Sequence, residues 1–135
     1  MIEPGDVTLE AFKPDPNRHP ITPEPSSRIY QGQPSVLGRY DEVKQVRVGQ
    51  VFRMEIRMKG ERPLQINFQE RNLFGGGWSH IKTVDLPSGY IGFIVEFPVH
   101  SRNAGQHNLQ YVATNSQGST ILHQRLDVIE RQVGG

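Results

Sequence analysis

Cysteine is absent from the 135-residue sequence, which excludes disulfide bonds, Cys-ligated zinc, iron–sulfur clusters and thiol catalysis. The sequence also lacks the run of ~18–20 apolar residues that a membrane-spanning helix requires. Neither charge sign dominates, since 15 Lys and Arg face 14 Asp and Glu for a net charge of +1. That balance argues against nucleic-acid binding through phosphate neutralisation. The length predicts one small soluble domain.

Proline is concentrated near the start of the chain, with seven of the ten prolines in the first 34 residues. The stretch 13–20 has a proline at positions 14, 16 and 20, which excludes a helix interior or a central strand there. Residues 1–40 are therefore predicted to form an extended Pro-rich arm, and the alternation over 7–12 predicts an edge strand within it. A linker or lead-in sequence is the alternative interpretation. Residues 1–6 lack the basic and apolar regions of a signal peptide.

The rest of the chain, residues 41–131, alternates with a period of two, which is typical of strands with one buried face. The clearest case runs from Val51 to Lys59, and turns rich in Gly, Pro, Asn and Ser separate the following segments. Further strands are predicted over 64–69, 78–86, 90–99, 107–114 and 119–130. This spacing predicts an all-β fold, an antiparallel β-sandwich of immunoglobulin-like type with six to eight strands. A closed barrel is the alternative, the stretch 122–132 also fits a helix, and 132–135 is predicted to be a flexible tail.

A search for catalytic and metal-binding patterns is mostly negative. None of the five histidines forms a His-x-His or His-x-x-x-His pair, and no Gly-x-Ser-x-Gly or Walker motif occurs. His100 and His107 flank one loop and are the candidate metal pair, although ordinary loop histidines are the favoured interpretation. The sequence thus predicts a protein that is not an enzyme and has no catalytic residue, metal or cofactor. A triad assembled across strands stays open as the alternative.

The stretch 68–80 carries the most distinctive combination of residues. Polar, planar side chains end a predicted strand, three glycines follow at 75–77, and then comes the only tryptophan. Such side chains hydrogen-bond sugar hydroxyls, an exposed ring stacks on the apolar face of a pyranose, and glycines allow close approach to the backbone. The predicted ligand-binding residues are Gln69, Arg71, Asn72, Trp78, His80 and the nearby Tyr90. The alternative places Trp78 between the sheets, where a lone tryptophan of a β-sandwich typically packs.

Four segments together suggest a family resemblance: Val48-Gly49-Gln50-Val51-Phe52, the run from Glu61 to Glu70, Gly76-Gly77-Trp78, and Pro87-Ser88-Gly89. Over about residues 43–130 this pattern resembles immunoglobulin-like β-sandwich modules that are appended to secreted polysaccharide-active proteins. The resemblance implies a non-catalytic carbohydrate-binding or accessory module, and it favours an extracellular or cell-surface location. Residues 1–34 lie outside it.

Two functions are therefore predicted. The first is a binding module that recognises a glycan through the aromatic and polar loop surface around Trp78. The second is a protein-interaction or assembly module, in which the Pro-rich arm or an exposed edge strand adds a strand to a partner's sheet. The partner is accordingly a carbohydrate or a protein, and the oligomeric state is left open.

Overall fold

The computed structural model describes residues 1–14 and 29–130. Residues 15–28 of the predicted arm and the predicted tail (132–135) lie outside these residues. Two short 3₁₀ turns are found at Pro4–Asp6 and Ser101–Asn103. The described strands are β1 (Thr8–Phe12), β2 (Ser35–Val36), β3 (Val43–Arg47), β4 (Val51–Lys59), β5 (Leu64–Arg71), β6 (Trp78–Leu86), β7 (Gly92–Pro98), β8 (Gly105–Asn115) and β9 (Gly118–Ile129).

These strands form two sheets. One has four strands in the order β1-β7-β4-β2, and the other has five in the order β3-β9-β8-β5-β6. The predicted β-sandwich is confirmed. All pairings are antiparallel except that of β3, which runs parallel to β9. Within the described part of the chain, no helix is long and apolar enough to span a bilayer.

Alternation of side chains explains why the strands form where they do. In β4 the residues Phe52, Met54, Ile56 and Met58 are buried, while Arg53, Arg57 and Lys59 are exposed. The same period of two holds in β5, where Leu64, Ile66 and Phe68 are buried. Because every second residue of a strand points to one face, each sheet presents an apolar face to the other and a polar face outward.

An aromatic stack fills the centre of the sandwich. Phe68 on β5 stacks on Tyr111 of β8 with ring centroids 5.0 Å apart, and it lies 6.2 Å from Phe97 of β7. Phe97 in turn stacks on Phe52 at 4.8 Å, so the rings connect both sheets. Offset aromatic contacts of this kind add to the stabilisation from burial alone. They occupy the interior of a sandwich that has no disulfide.

Several expectations from the sequence need correction. The described residues contain nine strands rather than six to eight, because β2 has only two residues and β3 only five, too short for a clear period. The helix considered over 122–132 is wrong for the described part, since β9 continues to Ile129. Within residues 1–40 the structure describes β1 and β2, and both belong to the four-stranded sheet.

Candidate functional site

The outward face of the five-stranded sheet is rich in side-chain amides and imidazoles, and we call it the amide face. Its members lie on strands β5, β6, β8 and β9, where they alternate with the buried residues. From β6 to β9 they are Trp78, His80, Thr83, Asp85, Gln65, Asn67, Gln69, Arg71, Asn108, Gln110, Val112, Thr114, Ser119, Ile121, His123 and Arg125.

One row of the amide face crosses four strands in direct register. His80 is opposite Gln69, Gln69 is opposite Gln110, and Gln110 is opposite His123. The Gln110 amide donates to the Gln69 carbonyl oxygen at 2.6 Å. Gln110 is only 5% exposed, and among the described residues nothing donates to its own Oε1. The row therefore presents amide and imidazole groups in a fixed order along about 14 Å of sheet, at ~4.8 Å per strand.

A second set of hydrogen bonds organises the neighbouring part of the face. The His80 Nε2 lies 2.6 Å from the Thr83 hydroxyl, which donates to the Asn67 carbonyl oxygen at 2.7 Å. The Asn67 amide then donates to Gln65 at 3.3 Å. A β-bulge between Phe68 and Gln69 shifts the register, so that Gln69 faces His80 instead of Ile81. The bulge thereby places His80 on the amide face.

Beside this row lies a cavity of about 340 Å³, which we call the Trp78 cavity. Trp78 is 36% exposed and lies opposite Arg71, while Asn108 lies opposite Arg125. Trp78 thus lies on the outward face, not between the sheets. The cavity is lined by Glu42, Val43, Arg71, Trp78, Asn108, Leu109, His123, Gln124 and Arg125. Three of its polar lining residues, Asn108, His123 and Arg125, come from β8 and β9.

The lining side chains differ in whether they already have partners. Arg125 forms a two-pronged ion pair with Asp127, at 3.0 and 2.9 Å. In the described part of the chain, by contrast, no hydrogen bond or ion pair involves the side chains of Arg71, Trp78, Asn108 or His123. A guanidinium, an indole N–H, a carboxamide and an imidazole therefore remain available to a ligand around one shallow cavity.

Asn72, predicted as a ligand-binding residue, is committed to the hairpin that joins β5 to β6. Its side-chain amide donates to the Gly76 carbonyl at 3.0 Å, and its carbonyl oxygen accepts from the Ser79 hydroxyl. Gly75, Gly76 and Gly77 all have φ between 71° and 80°, a backbone region that strongly favours glycine. Asn72 and the glycines therefore shape the turn that ends at Trp78.

Tyr90 lies away from the other predicted site residues. It follows Leu86 at the end of β6 opposite to Trp78, roughly 25 Å along the strand at ~3.3 Å per residue. Its backbone carbonyl accepts two hydrogen bonds from the Arg62 guanidinium, at 3.2 and 3.0 Å, and its ring packs against the core. The structure thus brings Gln69, Arg71, Trp78 and His80 onto one face and leaves Tyr90 at the other end of the sandwich.

A buried pair lies under the same end of the sheet, on its inner side. The His107 Nδ1–H donates to Glu70 Oε2 at 2.5 Å, and Nε2–H donates to the Asn103 carbonyl at 2.6 Å. The side chains are only 9% and 3% exposed. Because both partners of the ring are acceptors, both ring nitrogens carry protons and His107 is an imidazolium. Glu70 also accepts from the Ile2 backbone N–H at 2.8 Å.

The two pKa values shift in opposite directions. Burial by itself raises the pKa of Glu70, but hydrogen bonds from His107 and Ile2 together with the imidazolium charge outweigh it and hold that pKa below its ordinary range. The hydrogen bond to Glu70 raises the pKa of His107 against the opposing effect of burial, and the Asn103 carbonyl adds to the rise. Both shifts favour the ionised forms of the two groups.

These contacts bear on the metal pair considered from the sequence. Both ring nitrogens of His107 are occupied, and His100 instead lies 3.7 Å from Asp6 at the surface. Over residues 1–14 and 29–130, no three His, Asp or Glu side chains form a group that could hold a metal ion. His107 instead forms hydrogen bonds with Glu70 and Asn103 inside the sandwich.

Comparison with known proteins identifies the fold. No protein-family model and no curated protein matches the chain. The titin M3 domain is similar in structure, with a TM-score of 0.50 and 18% identity over 71% of this chain and 96% of that one. A superoxide reductase (neelaredoxin) from Ignicoccus hospitalis has a TM-score of 0.51 and 12% identity, over 78% of this chain and 86% of that one.

A putative α-galactosidase/melibiase from Bacteroides fragilis NCTC 9343 is also similar, with a TM-score of 0.50 and 20% identity. The match covers 76% of this chain and 19% of that one, so the chain spans about a fifth of that enzyme's length. At these identities the comparisons show the fold alone. The chain is an immunoglobulin-like β-sandwich.

Proposed function

We propose that the chain is a non-catalytic binding module that recognises a glycan at the Trp78 cavity. The observation that carries this proposal is the group of four uncommitted side chains, Arg71, Trp78, Asn108 and His123, around one open cavity. Sugar hydroxyls both donate and accept, and they match amide, imidazole and guanidinium groups held at fixed positions.

The exposed indole supplies the apolar part of such a site. Trp78 stands at the edge strand β6, and its ring is accessible beside Arg71. A pyranose ring has an apolar face of C–H groups that packs on an aromatic ring, while its equatorial hydroxyls point sideways toward polar neighbours. In this arrangement the sugar ring lies on Trp78, and its hydroxyls meet Arg71 and Asn108.

The amide face extends the site beyond one sugar. The row His80–Gln69–Gln110–His123 runs across the sheet next to the cavity. A chain of several sugar residues spans a comparable length. We therefore propose an oligosaccharide, rather than a single sugar, as the ligand.

The arrangement of the buried His107–Glu70 pair supports a binding role without catalysis. The one buried His–Glu pair, His107 with Glu70, has its ring nitrogens occupied by the carboxylate and by Asn103. No nucleophilic side chain shares this hydrogen-bonded set in the described ranges, so the geometry of a hydrolytic triad is not formed there.

A glycan-array screen followed by titration calorimetry tests the proposal. We expect the intact chain to retain at least one oligosaccharide and Trp78→Ala to weaken its binding about tenfold or more. Phe74→Ala is the matched control, because Phe74 is a 90% exposed aromatic on the adjacent hairpin that does not line the cavity. Unfolding midpoints of both variants show whether the fold is retained.

Two results would overturn the assignment. A blank array with folded protein removes the glycan as ligand. Equal losses for Trp78→Ala and Phe74→Ala would show that the cavity is not the binding site.

A further inference from the structure

One of the two edge strands of the four-stranded sheet, β1, is remote in sequence from β7, the strand with which it pairs. In an immunoglobulin constant-type sandwich this sheet has the order A-B-E-D, and strand D precedes strand E in sequence. Here the order β2-β4-β7-β1 places β1, residues 8–12, at the position of strand D. The strand that precedes β7 in sequence, β6, belongs to the other sheet instead.

β1 completes the sandwich through main-chain pairing within its own sheet and through contacts with the second sheet. It pairs with β7 over its whole length, from Thr8 opposite Glu96 to Phe12 opposite Gly92. The Lys82 ammonium of β6 donates to the Val7 carbonyl at 2.6 Å and so ties β1 to the second sheet. Residues 1–12 also place three apolar side chains in the core, those of Ile2, Val7 and Leu9.

The connection between β1 and β2 is much longer than the sheet requires. Three interstrand spacings of ~4.8 Å separate the two strands, a distance of about 14 Å. The intervening residues 13–34 number 22, and an extended chain of that length reaches about 70 Å. The connection is therefore long enough for β1 to reach the β7 edge of another molecule.

We propose that residues 1–12 are an exchangeable segment, and that the β7 edge of one copy accepts β1 from a second copy of this chain. A second copy is the occupant that fits, because it brings the same main-chain pairing, the same Lys82 contact and the same three core side chains. Exchange of an identical element replaces every contact, so the two arrangements differ mainly in the entropy of association.

Mass action sets when exchange occurs. Because β1 is covalently connected to the rest of its own chain, it stays near its own β7 at an effective concentration on the order of millimolar. Monomers with β1 on their own sheet dominate at micromolar concentration, and exchanged assemblies accumulate as the chain concentration approaches that value. This inference concerns the sheet opposite to the amide face and does not depend on glycan binding.

The lack of cysteine allows a direct test on the full chain. Glu10 of β1 is directly opposite Ile94 of β7, on the outward face of the sheet. Chains carrying Glu10→Cys and chains of a different mass carrying Ile94→Cys are unfolded, mixed and refolded at about 10 µM and about 1 mM. A short thiol-specific cross-linker then captures pairs whose Cβ atoms are a few ångströms apart.

Two control samples make each result decisive. The double variant Glu10→Cys/Ile94→Cys in one chain shows that the pair is within reach of the cross-linker. The mixture of Glu10→Cys with Gln65→Cys, a position on the amide face, reports random encounters.

We expect the Glu10→Cys/Ile94→Cys mixture to give a cross-linked heterodimer that increases about tenfold or more between the two concentrations, while the Gln65→Cys mixture stays at background. The proposal would be overturned if the double variant links internally but the heterodimer is no more abundant than that background at both concentrations. Failure of the double variant to link internally would also overturn it, since β1 would then not pair with β7 in this register.

Discussion

Glu70 and His107 form an ion pair inside a sandwich whose other inward-facing residues at that end are largely apolar, with 2.5 Å between Oε2 and Nδ1. The pair also fixes two segments outside the strands. Glu70 accepts from the Ile2 N–H, and His107 donates to the Asn103 carbonyl, so residue 2 and the 3₁₀ turn Ser101–Asn103 are both attached to it. Charge at this position therefore couples stability to pH.

The first prediction concerns the pH dependence of unfolding. The pKa of His107 is raised in the folded state. Its contribution to the free energy of unfolding is therefore complete below the ordinary pKa of 6.5 and is lost as pH rises through the folded-state pKa. The pKa of Glu70 is lowered in the folded state. Its contribution to the free energy of unfolding is therefore complete above the ordinary pKa of 4.5 and is lost as pH falls through the folded-state pKa. Urea midpoints should be highest between these two ordinary values and fall on both sides.

The variant His107→Gln provides the control for this profile, because it cannot titrate. We expect it to be less stable than the parent at pH 6. Its urea midpoint should also fall much less than that of the parent as the pH is raised above 6.5. An alkaline decline of unchanged size in His107→Gln would assign that decline to another group.

The second prediction concerns the coupling within the pair. His107→Leu leaves the Glu70 carboxylate buried beside one N–H donor, which should cost about 3–5 kcal/mol in the free energy of unfolding. Glu70→Leu/His107→Leu buries no charge, so its cost should be smaller than the sum of the two single costs by more than ~1 kcal/mol. Denaturant titrations of the four proteins measure this coupling, and additive costs would contradict a buried ion pair.

Much of the fold could be predicted from the sequence because most strands bury one face. The alternation in β4 and β5 predicts both the strands and their buried residues, and the glycines at 75–77 predict the turn between β5 and β6. The position of β1 relative to β7 could not be predicted, because it depends on pairing between residues that are 80 or more positions apart. The local signal of the buried pair is that Glu70 and His107 are ionisable residues at buried positions of their strands.

The candidate site could be predicted only where one hairpin supplies it. Gln69, Arg71, Trp78 and His80 come from β5 and β6, which are adjacent in sequence and in the sheet. Asn108, His123 and Arg125 were missed because β8 and β9 carry no local motif, and only the sheet order brings them beside Trp78.

The third prediction compares two arginines that line the same cavity. Arg71 has no partner among the described residues, whereas Arg125 is held by Asp127. Arg71→Ala should therefore weaken glycan binding roughly 10- to 100-fold, the range for a hydrogen bond from a charged group. Arg125→Ala should weaken it less than about threefold. Calorimetry with the glycan found on the array measures the affinity of both variants. A larger loss for Arg125→Ala than for Arg71→Ala would place the ligand at the β9 side of the cavity.

The fourth prediction concerns the close approach of β7 to β4 at Gly92. A Cβ built on Gly92 would lie 2.1 Å from the Ile56 carbonyl oxygen and 2.9 Å from the Arg57 Cα, both backbone atoms. Gly92 also pairs with Phe12, the last residue of β1. Gly92→Ala must therefore separate two paired strands and should lower the free energy of unfolding by about 2–3 kcal/mol.

Gly5→Ala is the matched control, because nothing lies within 4 Å of a Cβ at Gly5 and its φ is not positive. We expect its free energy of unfolding to change by less than about 0.5 kcal/mol. If β1 is held by its pairing with β7, Gly92→Ala should also increase hydrogen exchange of the Ile91 N–H, which donates to the Phe12 carbonyl at 2.9 Å. Unchanged exchange at Ile91 in a destabilised Gly92→Ala protein would show that the strain is absorbed between β4 and β7, without loosening β1.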